Sequence, residues 1–471
     1  MTADAKKTKD LKKKLFLKEA DSWAGLSDRQ RKDCMRFAGQ YMAFLDGAKT
    51  EREAVLELER IAGQREFATP DSNEEGDRLF FAYRGKNAAV VYRGRRPLVE
   101  GANIVVSHID SPRLDLKQNP IYEEIGLALL KTHYYGGIKK FQWVSRPLAL
   151  HGRVFTSEGK AVDVHIGEDP GDPVFTICDV LPHLARKVQY GKKIEDAVPG
   201  EKLNLLAGSI SFSKEKTKDN VKLNVLDLLE RKYGITEEDF VSAELEAVPA
   251  GVSRDVGLDR SMIGAYGHDD RSSVYASFRA LTDMRKKPER TAVALFLDKE
   301  EIGSEGNTGA QGRFMLDLFG DLLEMEGEGS ERSIRRALAA SACLSADVNA
   351  GVEPDYQEAH ELRNAARLGG GISITKFTGS RGKSGASDAN AEFVARIRSL
   401  FNKHKIVWQA AELGKVDEGG GGTMGKFFAV YGMDVLDCGV PVLAMHSPFE
   451  VISKSDLFTA YRAFRAFFEN L

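Results

Sequence analysis

The sequence ALFLDKEEIG, residues 294–303, sets an apolar run against four charged side chains with a glycine close behind. The run from Val293 to Leu297 has the length and composition of a buried strand. Open α/β sheets bind ligands beyond the carboxyl ends of their strands. At such a place the adjacent carboxylates Glu300 and Glu301 repel each other unless a proton or a cation lies between them. The stretch therefore predicts either a site for a metal and its water or a charged loop that enters a helix.

Composition places the chain among soluble globular proteins with more than one domain. The length of 471 residues exceeds the size at which a single core stops growing, so two domains are expected. The net charge of −3 gives no reason to expect a nucleic acid or an anionic membrane as a partner. No apolar run approaches the length of a membrane span.

The N-terminus and the cysteines predict a cytoplasmic location. The first residues are rich in lysine, but no apolar core follows them as in a secretory signal. The four cysteines show no paired spacing, which favours free thiols and a reducing compartment. They are Cys34, Cys178, Cys343 and Cys438.

The order of predicted elements indicates an α/β domain interrupted by a β-rich one. Within residues 118–252, strand-like segments such as Leu203–Ser213 alternate with turn residues, and helical patterns are few. We therefore predict a catalytic domain made of residues 1–117 and 253–471, with residues 118–252 inserted into it. In the second part of the catalytic domain, residues 387–401 are predicted to form a helix.

Other short motifs carry metal-ligand residue types. His108 ends a short apolar run, and Asp110 two residues later can orient the imidazole while the ring binds a metal. Asp269, before a predicted helix, is either a ligand or a helix cap. Asp347 and His446 also follow short apolar runs, at the strand end where α/β sheets bind ligands.

Together these residues predict a two-metal centre. Two histidines and three carboxylates can hold two zinc-like ions that share one carboxylate, and paired ions of this kind stabilise a hydrolytic transition state. The set is His108, Asp269, Glu301, Asp347 and His446. The chain has no G-x-S-x-G nucleophile motif and no well-formed G-x-G-x-x-G near its start, which argues against a serine hydrolase and a dinucleotide enzyme.

A basic loop, TGSRGKSG at residues 378–385, lacks the spacing of a phosphate-binding P-loop. Its cations, with one residue just before it, predict either a site for a substrate carboxylate or a solvated loop. They are Lys376, Arg381 and Lys383.

In their order along the chain, the motifs resemble the aspartyl aminopeptidase / aminopeptidase I family of dinuclear zinc exopeptidases. The matching segments are SHIDSPRLDLK, GHDDR, DKEEIGSEG, SADVNAG and AMHSPFE. The resemblance covers essentially the whole chain and implies a three-layer, zinc-exopeptidase-like α/β catalytic domain with a β-rich inserted domain. At the bridging acid the family usually has Leu-Asp-Asn, whereas this chain has His268-Asp269-Asp270, which resembles a bacterial subgroup.

The resemblance also implies roles for individual residues. Asp269 would bridge the two metals, and the other four predicted ligands would complete their coordination. Glu300 would be the general base, and Asp110 would orient His108. His183 matches a histidine that, in similar enzymes, reaches a neighbouring subunit's site and stabilises the oxyanion. Lys376 matches a lysine near the substrate.

The resulting expectation is a metal-dependent aminopeptidase that acts on peptides. It would hold two divalent ions per subunit, zinc with cobalt or manganese as alternatives. It would assemble as a homo-oligomer, a dodecamer built from dimers through the inserted domain. The alternatives are a di-metal amidase or deacylase with non-peptide substrates, and a non-catalytic structural member of the fold.

Overall fold

The computed structural model describes residues 3–17, 20–70, 76–215 and 217–471. The α-helices of these ranges are α1 (Ala3–Leu15), α2 (Asp28–Asp46), α3 (Glu51–Gly63), α4 (Pro182–Val188), α5 (Ile194–Ala197), α6 (Asn220–Tyr233), α7 (His268–Thr282), α8 (Phe314–Glu324), α9 (Glu331–Ala339), α10 (Ala391–Lys403), α11 (Gly425–Ala429) and α12 (Lys454–Asn470). The strands are β1 (Arg78–Tyr83), β2 (Asn87–Tyr92), β3 (Ala102–His108), β4 (Arg113–Glu124), β5 (Leu127–Tyr135), β6 (Leu148–Phe155), β7 (Ala161–Ile166), β8 (Thr176–Ile177), β9 (Leu205–Gly208), β10 (Ala243–Pro249), β11 (Arg254–Val256), β12 (Met262–Ala265), β13 (Thr291–Leu297), β14 (Ala342–Ser345), β15 (Asn349–Ala350), β16 (Ile372–Thr375), β17 (Phe377–Ser380), β18 (Ser384–Asp388), β19 (Trp408–Ala410), β20 (Asp434–Gly439), β21 (Pro441–Leu443) and β22 (Glu450–Ser453).

An eight-stranded mixed sheet has the order β1-β2-β13-β3-β14-β20-β16-β19. Its inner strands β13, β3, β14 and β20 run parallel, and Leu297 at the end of β13 is level with His108 at the end of β3. Because neighbouring parallel strands end at the same edge, the segments that follow β13, β3 and β14 begin side by side. This edge carries the candidate site.

The two faces of β13 pack into two different apolar cores. Ala294 and Phe296 lie in a core with residues of α7 and α12, whereas Val293 and Leu295 lie in a core with residues of α8 and α9. Successive side chains of a strand point to opposite faces, so a strand that is apolar at every position is buried on both. Helices therefore cover both faces of the sheet, and the predicted α/β class with three layers is confirmed.

A seven-stranded sheet of order β7-β6-β10-β4-β5-β9-β8 encloses a third core. All of its neighbouring strands are antiparallel, and the chain enters through β4 and returns through the adjacent β10. The strand predicted over Leu203–Ser213 is wrong in its length, because β9 ends at Gly208. Beyond it, the N–H groups of Phe212 and Ser213 bond to the carbonyl and side-chain oxygens of Asn220 rather than to a neighbouring strand.

The helix predicted over residues 387–401 begins later than expected. Residues up to Asp388 belong to the hairpin β17–β18, in which Phe377 pairs with Asp388, and α10 starts at Ala391. The turn of this hairpin is made by Arg381 and Gly382, which have φ values of 54° and 68°. Cross-strand pairing after a left-handed turn thus replaces the first helical turn.

A five-stranded sheet, β11-β12-β22-β21-β15, carries the remaining site segments. β12 leads directly into α7, and the loop between β21 and β22 contains His446. Among the helices of the described ranges, none has both the length and the apolar character that crossing a bilayer requires.

Candidate metal centre

Three of the predicted ligands meet because their strands are neighbours. His108 is the last residue of β3, Glu301 lies in the 3-10 turn Glu300–Ile302 after β13, and Asp347 lies just beyond β14. In the sheet, β3 is flanked by β13 and β14. The rule that α/β sheets bind ligands beyond the carboxyl ends of their strands, here called the strand-end rule, therefore accounts for three of the five predicted ligands.

The other two predicted ligands come from the five-stranded sheet. Asp269 lies at the start of α7, directly after β12, and its backbone is non-helical with φ −82° and ψ 107°. His446 follows β21, not a strand of the central sheet as the sequence pattern suggested. Because β12 and β21 both pair with β22, the two loops are brought to the same side of the central sheet edge.

The carboxylate of Asp269 lies between the two histidines. Its Oδ1 is 3.0 Å from Nε2 of His108, and its Oδ2 is 3.3 Å from Nε2 of His446. Asp347 Oδ1 is 3.7 Å from the same nitrogen of His108, and Glu301 Oε1 is 3.5 Å from that of His446. The structure thus brings all five predicted ligands into one cluster, with Asp269 at its centre.

The hydrogen bonds of the two imidazoles determine which nitrogen faces the carboxylates. His446 Nδ1 lies 2.8 Å from the carbonyl oxygen of Gly137, and His108 Nδ1 lies 3.1 Å from that of Asp110. A carbonyl oxygen only accepts, so in each ring Nδ1 carries the hydrogen. In the neutral ring Nε2 then carries a lone pair that is directed at carboxylate oxygens. A cation between Nε2 and these oxygens would stabilise this arrangement.

Burial and crowding of negative charge shift the pKa values of the cluster. Burial raises the pKa of Glu300 to about 8 and raises the pKa of Glu301 well above its ordinary value, and neighbouring carboxylates add to both shifts. Burial would also raise the pKa of Asp269, but His108 and His446, which donate to it through Nε2 when they are protonated, hold this pKa below the ordinary value. A bound divalent cation would offset the repulsion and favour ionised carboxylates.

Asp110 organises more of the site than its predicted contact with His108. Its carboxylate lies 3.3 Å from His108 Nδ1 and accepts the backbone N–H groups of Glu300 and Glu301, both at 3.2 Å. The hydroxyl of Tyr135 donates to the same carboxylate at 2.8 Å. One buried side chain therefore orients a predicted ligand and holds the turn that carries the predicted base.

Two residues of the site were missed by the sequence reasoning. Glu450 accepts the backbone N–H of Asp269 at 3.1 Å with one oxygen and that of His446 at 2.8 Å with the other. The spacing His446-x-x-x-Glu450 within AMHSPFE could have indicated it. Tyr135 is the other, and its ring lies 3.9 Å from the guanidinium of the buried Arg113. Neither the spacing of Glu450 from His446 nor the residue type of Tyr135 distinguishes such a role from an ordinary core position.

His268 is a satisfied core histidine. Its Nε2 donates to the carbonyl oxygen of Ile263 at 3.1 Å, so Nδ1 accepts from the hydroxyl of Tyr41 at 2.8 Å. Burial lowers the pKa of His268 to about 3. The ring is therefore neutral, and it supports the segment that carries Asp269 without facing the cluster.

A cavity of about 460 Å³ opens beside Asp347. Its lining includes Phe377, Glu412, Lys415, Val416 and Cys438. The residues predicted to bind substrate do not line it. Lys376 instead pairs with Asp388 at 2.7 Å, and Arg381 and Lys383 are exposed on the hairpin whose glycines line the cavity. Their role stays a prediction.

His183 lies outside the cluster of its own chain. It is exposed in the first turn of α4, directly after Pro182. The predicted role in a neighbouring subunit's site requires such exposure and stays a prediction.

The residues of the cluster fit divalent zinc-like ions. Two imidazole nitrogens and several carboxylate oxygens are the donors that zinc takes. One donor atom each from His108, Asp269 and Glu301 lies within 4.8 Å of the other two, and the same holds for His108, Glu300 and Asp347. Within the described residues, the buried Oε1 of Glu301 has no hydrogen-bond partner. A cation would satisfy it.

Comparison with known proteins gives a consistent result. The family described as aminopeptidase I zinc metalloprotease (M18) matches residues 44–468. A probable M18 family aminopeptidase 1 of Clostridium acetobutylicum is 47% identical over 463 residues, which is 97% of this chain and 99% of the relative. Its counterpart in Thermotoga maritima is 49% identical over 448 residues, covering 94% of this chain and 98% of the relative. The crystal structure of an M18 family aminopeptidase from Thermotoga maritima has a TM-score of 0.92 at 47% identity, with 97% of this chain and 100% of that chain covered.

Proposed function

Because the chain belongs to the aminopeptidase I (M18) family of zinc metalloproteases, it is a metal-dependent aminopeptidase, and we propose that its cluster holds two divalent ions. The observation that carries this proposal is the position of Asp269, whose two oxygens face two different imidazoles at 3.0 and 3.3 Å. A carboxylate in that position can bridge a pair of ions. Zinc is the proposed ion, with cobalt or manganese as alternatives.

The distances support a division of the ligands between the two ions. His108 and Asp347 would hold the first ion together with one oxygen of Asp269. His446 and Glu301 would hold the second together with the other oxygen. Each ion would then have one imidazole and one terminal carboxylate, and the bridging acid would be shared.

Glu300 would act as the general base. When bound, the two ions would polarise the first peptide carbonyl and lower the pKa of the attacking water. Glu300 would take the proton of that water and return it to the amine that leaves. Asp110 supports this role because it holds the Glu300 backbone N–H at 3.2 Å and so limits where the side chain can reach.

The cavity beside Asp347 would receive the side chain of the substrate's first residue. Its lining combines Phe377 and Val416 with Glu412 and Lys415, so it offers apolar contacts and charges of both signs. The hairpin β17–β18 forms one wall through Gly379 and Gly382. The cations of this hairpin would contact a peptide that extends beyond the cavity.

A substrate panel tests the proposed reaction. We expect hydrolysis of aminoacyl anilides and dipeptides that have a free amino terminus. Their N-acetylated forms should be hydrolysed at least roughly 100-fold more slowly, because a site built to bind a polar group rejects analogues in which that group is blocked. The measurement is kcat/KM for matched pairs. Faster hydrolysis of N-acyl amino acids would instead identify a di-metal amidase or deacylase.

We further propose that the seven-stranded sheet belongs to an inserted domain through which the protein forms a homo-oligomer. One face of α4 is apolar and uncovered: Leu181 and Leu184 are 52% and 59% exposed, and Val188 one turn further is also exposed. Exposed apolar side chains repeated along one helix face are typical of a subunit interface. His183 is exposed in the same turn as Leu184, so a second copy that covers this face would lie close to it.

Replacing Leu184 by Glu is expected to reduce the subunit count and to lower kcat. The charge would be buried in the interface, and loss of the interface would remove His183 from the neighbouring site. Native mass spectrometry with parallel kinetics measures both, and the wild-type mass also tests the predicted dodecamer. Leu56→Glu, at an exposed leucine of α3, is the matched control. A monomeric wild-type protein with full activity would contradict the proposal.

A further inference from the structure

A second group of imidazoles and carboxylates lies where α3 meets the hairpin β6–β7. Glu53 belongs to α3, and His151 and His165 face each other as cross-strand partners on β6 and β7. Oε1 of Glu53 is 2.7 Å from Nδ1 of His151 and 3.1 Å from Nδ1 of His165. One ligand atom of each residue lies within 4.8 Å of the other two. We call these three residues the Glu53 cluster.

The carboxylate of Glu53 is held in a fixed orientation. Its Oε2 accepts the backbone N–H groups of Lys49 at 2.9 Å and Thr50 at 3.0 Å, which completes the capping box of α3. The capping role uses Oε2 alone. The capping role does not explain why Oε1 is directed at two imidazoles on strands β6 and β7 of the seven-stranded sheet.

His151 has the arrangement that a metal ligand needs. Its Nε2 lies 3.1 Å from Oε1 of Glu168, and a carboxylate only accepts, so Nε2 carries a hydrogen. A carboxylate behind the ring fixes the tautomer and makes the other nitrogen a better ligand. That other nitrogen, Nδ1, is the one that faces Glu53. His151 is buried, so the ring has little freedom to turn away.

Without a metal, one carboxylate oxygen must serve both rings. Oε1 of Glu53 is shared between Nδ1 of His151 at 2.7 Å and Nδ1 of His165 at 3.1 Å. Lys49 lies on the far side, with Nζ 3.7 Å from Glu168. Two carboxylates, Glu53 and Glu168, lie near this one lysine, so the Glu53 cluster can accept a further cation.

We propose that Glu53, His151 and His165 bind an additional divalent ion of the zinc class, separate from the catalytic pair. Two imidazole nitrogens and one carboxylate oxygen are ligands of zinc and of similar borderline ions. The exposure of His165 leaves room for a water as the fourth ligand. The ion joins α3 to the hairpin β6–β7 and stabilises the contact between the helical N-terminal region and the seven-stranded sheet.

Zinc content of the full-length protein tests this site. Wild type and His165→Asn are saturated with zinc chloride and desalted, and the bound zinc per chain is measured by inductively coupled plasma mass spectrometry. His165→Asn is chosen because the side chain is exposed and the fold does not depend on its packing. The matched control is His133→Asn, an exposed histidine of the same sheet whose Nδ1 lies 3.0 Å from the carbonyl oxygen of Tyr134.

We expect His165→Asn to bind one zinc ion fewer than wild type and His133→Asn, with peptide hydrolysis unchanged. Glu168→Gln, which replaces the carboxylate behind His151 by an amide of the same size, should weaken this zinc by about 10- to 100-fold. Equal zinc content in wild type and His165→Asn would overturn the proposal, as would an unchanged zinc affinity in Glu168→Gln. The measured quantity is the difference in bound zinc between variants that all keep the catalytic centre. The result therefore does not depend on how much zinc that centre holds.

Discussion

Glu300→Gln is expected to lower peptide hydrolysis by about 10²- to 10⁴-fold while the metal content of the protein stays unchanged. Glutamine keeps the size and the backbone bond of Glu300 N–H to Asp110 but cannot take a proton from water. The measurements are kcat with an aminoacyl anilide and metal content by elemental analysis. The carboxyl is placed for such transfer because it lies next to His108 and Asp347, close enough to reach a water held there.

This variant also distinguishes two possible roles of Glu300, general base and metal ligand. Its oxygen lies within 4.8 Å of donor atoms of His108 and Asp347, so the same geometry would suit a metal ligand. A base leaves the metal content intact when it is replaced, whereas a ligand does not. Glu305→Gln, at an exposed glutamate of the same loop, should behave like wild type. Full activity in Glu300→Gln, or loss of an ion, would exclude the role of general base.

Asp269→Asn is expected to abolish tight binding of both catalytic ions and to lower hydrolysis by about 10³-fold or more, equivalent to about 4 kcal/mol. The carboxylate has one oxygen facing each imidazole, whereas an asparagine would turn an N–H₂ group toward one of them. An amide nitrogen carries no free lone pair for a metal. Activity should therefore resemble that of the chelated wild-type protein.

Chelation and re-addition of zinc provide the comparison. Chelated wild type should regain hydrolysis with zinc, whereas Asp269→Asn should not regain it at the same zinc concentration. Asp259→Asn, at an exposed aspartate before β12, is the matched control. The two-metal mechanism is excluded if the chelated wild type retains its turnover, or if Asp269→Asn binds both ions normally.

The part of the site that was predictable from the sequence follows the strand-end rule. An apolar run that is buried on both faces is recognisable in β13, and so is the charged segment after it. The same pattern marks His108 and Asp347. For these residues the local sequence is informative because the strand period and the abrupt change to charge are both local properties.

The residues that were missed or misplaced act over long distances in the chain. Glu450 binds the backbone N–H of Asp269, 181 residues away, and Tyr135 binds Asp110 across 25 residues. His268 has the residue type of a ligand, yet it is a core residue whose partners are Tyr41 and Ile263. Residue type alone does not distinguish these cases, because the difference lies in which atoms the fold brings to each side chain.

Sequence alone determined the α/β class and the family to which the chain belongs, because motifs and strand periods are properties of consecutive residues. It also predicted the donor set, whose role as metal ligands stays a proposal. Only the tertiary structure decided that β13, β3 and β14 are neighbours, and that a different sheet supplies Asp269 and His446. It alone also brought Glu53 to His151 and His165. Strand order and contacts between sheets depend on which apolar surfaces bury each other, a property of the whole chain that no single segment contains.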